Sequence, residues 1–169
     1  ATAAATAAAV AGAATAIGAL TTKAIEGYAA QEQLVGGVET LFKTSSDTVV
    51  GYANDAYKTA GMSANEYMET VTSFSASLLA SMNNDTAAAA EKANVAITDM
   101  SDNANKMGTD ISLIQNAYNG FAKQNYTMLD NLKLGYGGTK EEMQRLLDDA
   151  SKLSGIKYDI SSYSDVVDA

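Results

Sequence analysis

The sequence predicts an all-α fold of about six to seven helices with short glycine-containing links and a long alanine-rich N-terminal helix. Three observations support this prediction. Proline, the main helix breaker, is absent from all 169 residues. Apolar side chains recur every three or four residues, which is the period of a helix. No window shows the strict apolar–polar alternation of a half-buried strand.

Residues 1–30 are predicted to form one alanine-rich helix, and residues 31–169 a helical segment of a longer chain. Alanine, the best helix former, fills 12 of the first 20 positions. Residues 1–22 are uncharged, but only Val10, Ile17 and Leu20 are strongly apolar there. A membrane span in this stretch would therefore be marginal.

Glycines and a turn divide the next region. Gly36 and Gly37 are predicted to interrupt an apolar stretch. A turn at residues 44–47 is predicted to start a helix that ends at Gly61. Its inward positions are Val49, Ala53, Ala56 and Ala60.

Two longer helices are predicted after Gly61. Ser63 and Glu66 form a capping box for the first. Residues 83–86 end that helix and cap the second, which Gly108 ends. The predicted inward positions are Tyr67, Val71, Phe74, Leu78 and Met82 on the first helix, and Ala93, Ile97, Met100, Ala104 and Met107 on the second.

Shorter elements complete the predicted chain. Asp110 caps one helix, residues 135–138 form the clearest loop, Thr139 and Glu142 make a second capping box, and Gly155 is a C-cap. The inward positions are Ile111, Ile114, Tyr118 and Phe121, then Met128, Leu129 and Leu132, then Met143, Leu146, Leu147, Ala150 and Leu153. An extended connector at residues 156–160 precedes a last helix start at 165–169. Heptad-like spacings within single helices suggest coiled-coil packing, but they do not persist across the glycines, so one continuous rod is not expected.

Composition argues against most catalytic chemistry. Cysteine and histidine are absent, which removes thiolates and the commonest general base and metal ligand. The net charge of −9 argues against DNA binding through phosphate neutralisation. We therefore predict no enzyme activity, no catalytic residues, no cofactor, no metal site and no specific nucleic-acid binding.

Four local patterns have chemical interpretations that we weigh against ordinary structural ones. The loop at residues 135–140 lacks the spacing and preceding strand of a phosphate loop, so an interhelix hinge is favoured. Asp99 and Asp102 lack the order of a calcium loop. No feature marks any acidic residue at 141–149 as a buried catalytic acid. The aromatic residues Tyr118, Phe121, Tyr126 and Tyr136 have few basic neighbours, so core packing is favoured over nucleic-acid stacking.

Several long runs resemble tail tape measure proteins of long-tailed bacteriophages and prophages. They are EQLVGGVETLF at 32–42, YKTAGMSANEYM at 57–68, TDMSDNANKMG at 98–108, QNAY at 115–118, GFAKQNYTMLDNLKLGYGGTK at 120–140 and KYDISSY at 157–163. The resemblance covers nearly all of the chain from about Gln31 onward. It transfers no site residues.

The resemblance implies a virion structural protein that lies in the tail tube lumen in several copies, sets tail length during assembly and takes part in genome ejection. It implies contacts with tail tube protein, tail assembly chaperones and distal tail proteins, and a stay in the host cytoplasm during assembly. One alternative is a membrane-active module of the same machinery that helps DNA cross the host envelope. Another is an embedded cell-wall hydrolase, for which the sequence gives no sign.

Overall fold

The structure is a computed structural model that describes residues 27–169, and its regular secondary structure is entirely helical, as predicted. The helices are α1 (residues 27–42), α2 (Ser46–Thr59), α3 (Ala64–Ser81), α4 (Thr86–Met107), α5 (Ile111–Phe121), α6 (Lys140–Ser154) and α7 (Tyr163–Asp168). Short 3₁₀ turns occupy Lys43–Ser45 and Leu129–Leu132. The described residues thus contain seven α-helices, or six if α1 and α2, which are separated only by a 3₁₀ turn, are counted as one helix at 27–59. The predicted count of six to seven is confirmed. The alanine-rich residues 1–26 lie outside the described residues.

Helices α2, α3 and α4 pack against one another and form the main body of the core. The buried faces differ in size. That of α3 presents large side chains, among them Tyr67, Met68, Phe74 and Leu78, whereas that of α4 begins with Ala89, Ala90, Ala93 and Ala96. Small side chains opposite large ones let the helices approach while the space between them stays filled. The alanines thus contribute close approach, and the α3 side chains contribute most of the buried apolar area.

The helix ends follow the local signals in the sequence. The side chains of Ser63, Asp85 and Asp110 each accept a hydrogen bond from a first-turn amide, at 3.2, 3.1 and 2.9 Å. Gly108 and Gly155 end α4 and α6 in the left-handed conformation, with φ of +63° and +73°. Such a residue satisfies otherwise orphaned carbonyls, and glycine adopts it without strain. These predicted boundaries are confirmed.

Two predicted features of the helices are wrong. Helix α1 continues through Gly36 and Gly37, because the roughly 1 kcal/mol cost of a helical glycine is offset by burial of Val38 and Phe42 in the core. Leu153 was expected inside but is 90% exposed. The last turn of α6 extends past the elements on which the helix packs, since residues 152–157 are all exposed.

Two further expectations need smaller corrections. Met128 precedes the 3₁₀ turn and is 42% exposed, whereas Leu129 and Leu132 are buried as expected. At the second capping box, the Thr139 hydroxyl accepts from the Glu142 amide at 3.2 Å, but the Glu142 carboxylate accepts from Gly137 N at 3.0 Å. The glutamate therefore stabilises the preceding loop and not the N-cap residue itself.

Candidate functional site: the junction at the end of α4

The C-terminal third of α4 contacts the links between other helices through single hydrogen bonds. The Ser101 hydroxyl donates to the Ala60 carbonyl at 2.6 Å, at the end of α2. The Asn103 amide donates to the Leu132 carbonyl at 3.0 Å, in the segment between α5 and α6. We call Ser101, Asn103 and Thr109, with the Ala60 and Leu132 carbonyls that the first two bond, the α4 junction. Three links between helices therefore meet at one end of one helix.

The junction forms because helix ends leave carbonyl groups without helical partners. Ala60 follows the last residue of α2, and its carbonyl has no following turn to accept from. Ser101 and Ala60 are both buried, so water is largely excluded from this hydrogen bond. A buried carbonyl that loses its donor costs about 1–3 kcal/mol. The hydroxyl of Ser101 thus fixes the link between α2 and α3 onto α4.

The junction is also where hydrogen bonding is incomplete. Within residues 27–169, the buried side-chain polar atoms that have no hydrogen-bond partner are Asn103 Oδ1 and Thr109 Oγ1. Most buried polar groups in folded proteins have a hydrogen-bond partner, so these two atoms mark a place where packing leaves hydrogen-bonding groups unpaired. Both atoms lie at the α4 junction. Separation of the helices at this point would expose both atoms to water and recover hydrogen bonds for them.

Helix α6 and the loop before it are cross-linked to each other by polar contacts. The Arg145 guanidinium donates to the Glu142 carboxylate at 2.6 Å and to the Gly135 carbonyl at 3.0 Å. It also lies 4.3 Å from the centre of the Tyr136 ring, within the range of a cation–π contact. The Tyr136 hydroxyl donates to Asp149 at 3.2 Å. Since all of these partners lie within residues 135–149, the contacts make the loop and helix one unit.

The same contacts shift the acidity of two carboxyl groups in that unit. The hydrogen bond from Arg145, followed by that from Gly137 N, lowers the pKa of Glu142 below its ordinary value. Hydrogen bonds from Lys152 and then Tyr136 lower the pKa of Asp149. Both carboxylates are thereby kept ionised. Neither has the raised pKa that a general acid in catalysis requires.

The unit formed by the loop and α6 is held to the rest of the bundle mainly by apolar side chains. Helix α6 runs closely alongside none of α2–α5 and α7. Met143, Leu146 and Leu147 are buried, and Met143 and Leu146 line a partly open cavity of about 190 Å³ together with residues of α4, α5 and α7. An underfilled contact of this kind loses dispersion energy. The backbone of α6 therefore approaches its neighbours less closely than the backbones of α2, α3 and α4 approach one another.

One close backbone approach holds the loop in place. A Cβ atom at Gly138 would lie 2.3 Å from the Thr127 carbonyl oxygen, which is far inside van der Waals contact. Gly120 has a similar but looser approach, with 2.9 Å to the Asn125 carbonyl oxygen. The glycine-rich loop is evident from the sequence, but this contact is not. The partner is a backbone atom, which leaves no mark in a sequence pattern.

The remaining local patterns, at the loop before α6 and at Asp99, have ordinary structural surroundings. The Gly137 amide already donates to Glu142, so it is not free to hold an anion in this conformation. Asp99 is exposed, and its pKa is raised by partial desolvation and by the Asp102 charge. No group of three or more candidate metal ligands occurs within residues 27–169.

Core packing of the aromatic stretch is confirmed for all four of its members. Phe121 and Tyr126 are buried, and Tyr118 packs against the core. Tyr118, Phe121 and Tyr126 form a row of tilted rings with centroids 5.8 and 5.9 Å apart. Tyr136 is half-buried and also packs against the core, while its ring lies 4.3 Å from the Arg145 guanidinium.

Comparison with protein-family models, with curated proteins and with solved structures finds no match to this chain. Among the helices of the described residues, none combines the length and apolar character needed to cross a bilayer. The membrane-active alternative depends on residues 1–22, which lie outside the described part.

Proposed function

We propose that this chain is a segment of a phage tail tape measure protein, a structural component that sets tail length and takes part in genome ejection. The resemblance of the runs quoted above supports this proposal. Two of these runs coincide with the features described here. The run at 98–108 covers Ser101 and Asn103 of the α4 junction, and the run at 120–140 covers the loop with Gly138.

The observation that best supports a length-setting role is that the regular structure of the described residues consists entirely of helices joined by short links. A helix rises about 1.5 Å per residue and satisfies its own backbone hydrogen bonds, which suits a ruler. Within the described residues the longest helix, α4, has 22 residues and so spans about 33 Å. Fully helical, all 169 residues would reach at most on the order of 250 Å. The segment would therefore be compact outside the tube and extended inside it.

In this proposal the α4 junction and the α6 unit are the positions where the bundle opens. The proposed partners are further copies of the chain in the tail lumen, tail tube protein, tail assembly chaperones and distal tail proteins. The proposed location is the virion tail lumen, with a stay in the host cytoplasm during assembly. The proposed role is structural and not enzymatic.

Measurement of tail length tests this proposal directly. In the phage that encodes the chain, an in-frame deletion of residues 64–107, which removes α3 and α4, is expected to shorten the tail by about 66 Å at the rise of a helix. A tandem duplication of the same residues is the matched control and should lengthen the tail by a similar amount. Negative-stain electron microscopy of purified particles gives the lengths. Intact tails of unchanged length in both variants would contradict the proposal.

A further inference from the structure

The chain turns between α1 and α2 at a single residue, Lys43. Its φ is +49°, while Phe42 before the turn and Ser46 after it keep the right-handed helical conformation. A Cβ atom at Gly37 would lie 3.7 Å from the Thr72 methyl group in the middle of α3, so α1 folds back onto the helix against which α2 also packs. Without this turn, residues 27–59 would form one helix about 50 Å long.

The backbone conformation of Lys43 is unfavourable for a lysine. A left-handed residue brings its Cβ atom too close to the following carbonyl oxygen, which lowers its population by about tenfold unless the residue is glycine. The other short links place glycine or asparagine, which adopt this conformation more readily, at their positive φ: Gly61, Asn83, Asn84, Gly108 and Gly155. The link at residues 43–45 contains neither residue type. The bend therefore has a cost that packing must offset.

Contacts on both sides of Lys43 provide that packing. Phe42 and Val49 have no exposed surface. The Ser45 hydroxyl is hydrogen-bonded to the hydroxyl of Thr86, the first residue of α4, at 2.9 Å. Lys43 itself is exposed. The bend is therefore stable while its neighbours remain packed on the bundle, and loss of that packing favours a straight helix.

The inward positions of α1 and α2 also fit one straight helix. Counted through Lys43, they are spaced alternately three and four residues apart, as in the heptad seam of a coiled coil: Val35, Val38, Phe42, Ser45, Val49, Tyr52 and Ala56. In the bundle each of them is buried or partly buried. In a straight helix the same side chains would form one stripe, which a second helix would have to cover.

We propose that Lys43 is a one-residue switch between the bent α1–α2 pair of the compact bundle and one continuous helix over residues 27–59. Return of Lys43 to the right-handed conformation removes its strain and aligns the seam. The straight form is favoured where another helix covers the seam. In the proposed tape measure function, on which this last step rests, that helix belongs to a second copy of the chain. Tail length tests the proposed function, whereas the switch is a property of the free chain, so either can fail without the other.

Lys43→Gly and Lys58→Gly are matched variants, because the same substitution meets opposite backbone conformations. Lys58 is an exposed residue of α2. In urea unfolding of the intact 169-residue chain, Lys43→Gly should raise the equilibrium constant for folding about threefold, since glycine relieves the strain. Lys58→Gly should lower it about fivefold, since glycine weakens a helix. A Lys43→Gly variant no more stable than the original chain would overturn the strained conformation of Lys43.

Double electron–electron resonance between spin labels at Gln33→Cys and Asn54→Cys, both exposed, measures the switch itself. In one helix these positions are about 32 Å apart, and the bundle holds them closer because the chain folds back at Lys43. Trifluoroethanol, which loosens tertiary packing and favours helices, should move the distances to a narrow peak at about 32 Å. Distances that stay short or spread broadly in the alcohol would overturn the switch.

The two glycine variants locate the switch in the same experiment. Lys43→Gly should need more trifluoroethanol to reach the long distance, because glycine favours the bend and weakens the continuous helix. Lys58→Gly lies outside the labelled interval and should need no more alcohol than the original chain. Equal transition midpoints for the two variants would contradict the assignment to Lys43.

Discussion

Replacement of Gly138 by alanine tests the close backbone approach in the loop before α6. The added Cβ would lie 2.3 Å from the Thr127 carbonyl oxygen and 2.9 Å from its carbonyl carbon. Backbone must therefore move by about 1 Å to restore an ordinary contact. Thr127 cannot move freely, since its amide and hydroxyl both donate to Asn125 Oδ1, at 3.1 and 2.8 Å. We expect Gly138→Ala to lower the free energy of unfolding by about 1–3 kcal/mol, the usual cost of overpacking.

The neighbouring glycine is the control for this measurement. A Cβ at Gly137 would meet only the flexible Glu142 side chain, at 3.6 Å, and neither glycine has a positive φ. Gly137→Ala should therefore change stability by less than about 0.5 kcal/mol. Urea unfolding followed by circular dichroism gives both values, with equal slopes required for the comparison. Equal stability of the two variants would refute the argument from close approach.

Three further predictions concern the core, the junction and acidity. Leu147→Ala removes a fully buried side chain and should lower the free energy of unfolding by about 2–5 kcal/mol. Its control, Leu153→Ala, lies at a 90% exposed position and should lower it by less than about 0.5 kcal/mol. Equal losses in urea unfolding would contradict the packing of α6. Ser101→Ala should lower the free energy of unfolding by about 1–3 kcal/mol, because it removes a buried hydrogen bond. Ser73→Ala, at an exposed site, should leave that free energy nearly unchanged. A Ser101→Ala variant as stable as the original protein would show that the junction hydrogen bond does not stabilise the fold. The raised pKa of Asp99 means that the folded state disfavours its charge, and this unfavourable effect appears as pH rises through the carboxyl range. Asp99→Asn should accordingly raise the melting temperature at pH 7 but not near pH 3, and a gain of the same size at both would contradict this origin.

Helix boundaries in this protein follow from short-range chemistry and could be predicted. Asp85 and Asp110 cap the amides of residues two or three positions later, and Gly108 ends α4 through its own backbone conformation. Each signal lies within a few residues of the boundary it sets. The spacing of the alanines in α2 and α4 likewise predicts which faces of these helices are buried.

The features that required the structure depend on contacts distant in sequence. Gly36 and Gly37 did not break α1, because packing of the following residues on the core outweighs a local preference. Ser101 contacts Ala60 across 41 positions, and Asn103 contacts Leu132 across 29. Serine and asparagine at these positions look like ordinary polar residues in a helix. The α4 junction, and the cavity next to it, therefore had no local signal from which they could be predicted.

A distance between α2 and α4 tests most directly whether the segment changes from a compact to an extended form. The chain has no cysteine, so spin labels attach only at introduced sites, Tyr57→Cys and Val95→Cys, which are 72% and 59% exposed. In the free protein the two helices pack together, and double electron–electron resonance should give a label separation below about 30 Å.

Within assembled tails that contain mostly unlabelled copies, a continuous helix would place the two labels about 57 Å apart. We expect the distance distribution to move from below about 30 Å to above about 50 Å on assembly. The same short distance in free protein and in tails would show that the bundle persists, and would contradict its role as an extensible length-setting segment.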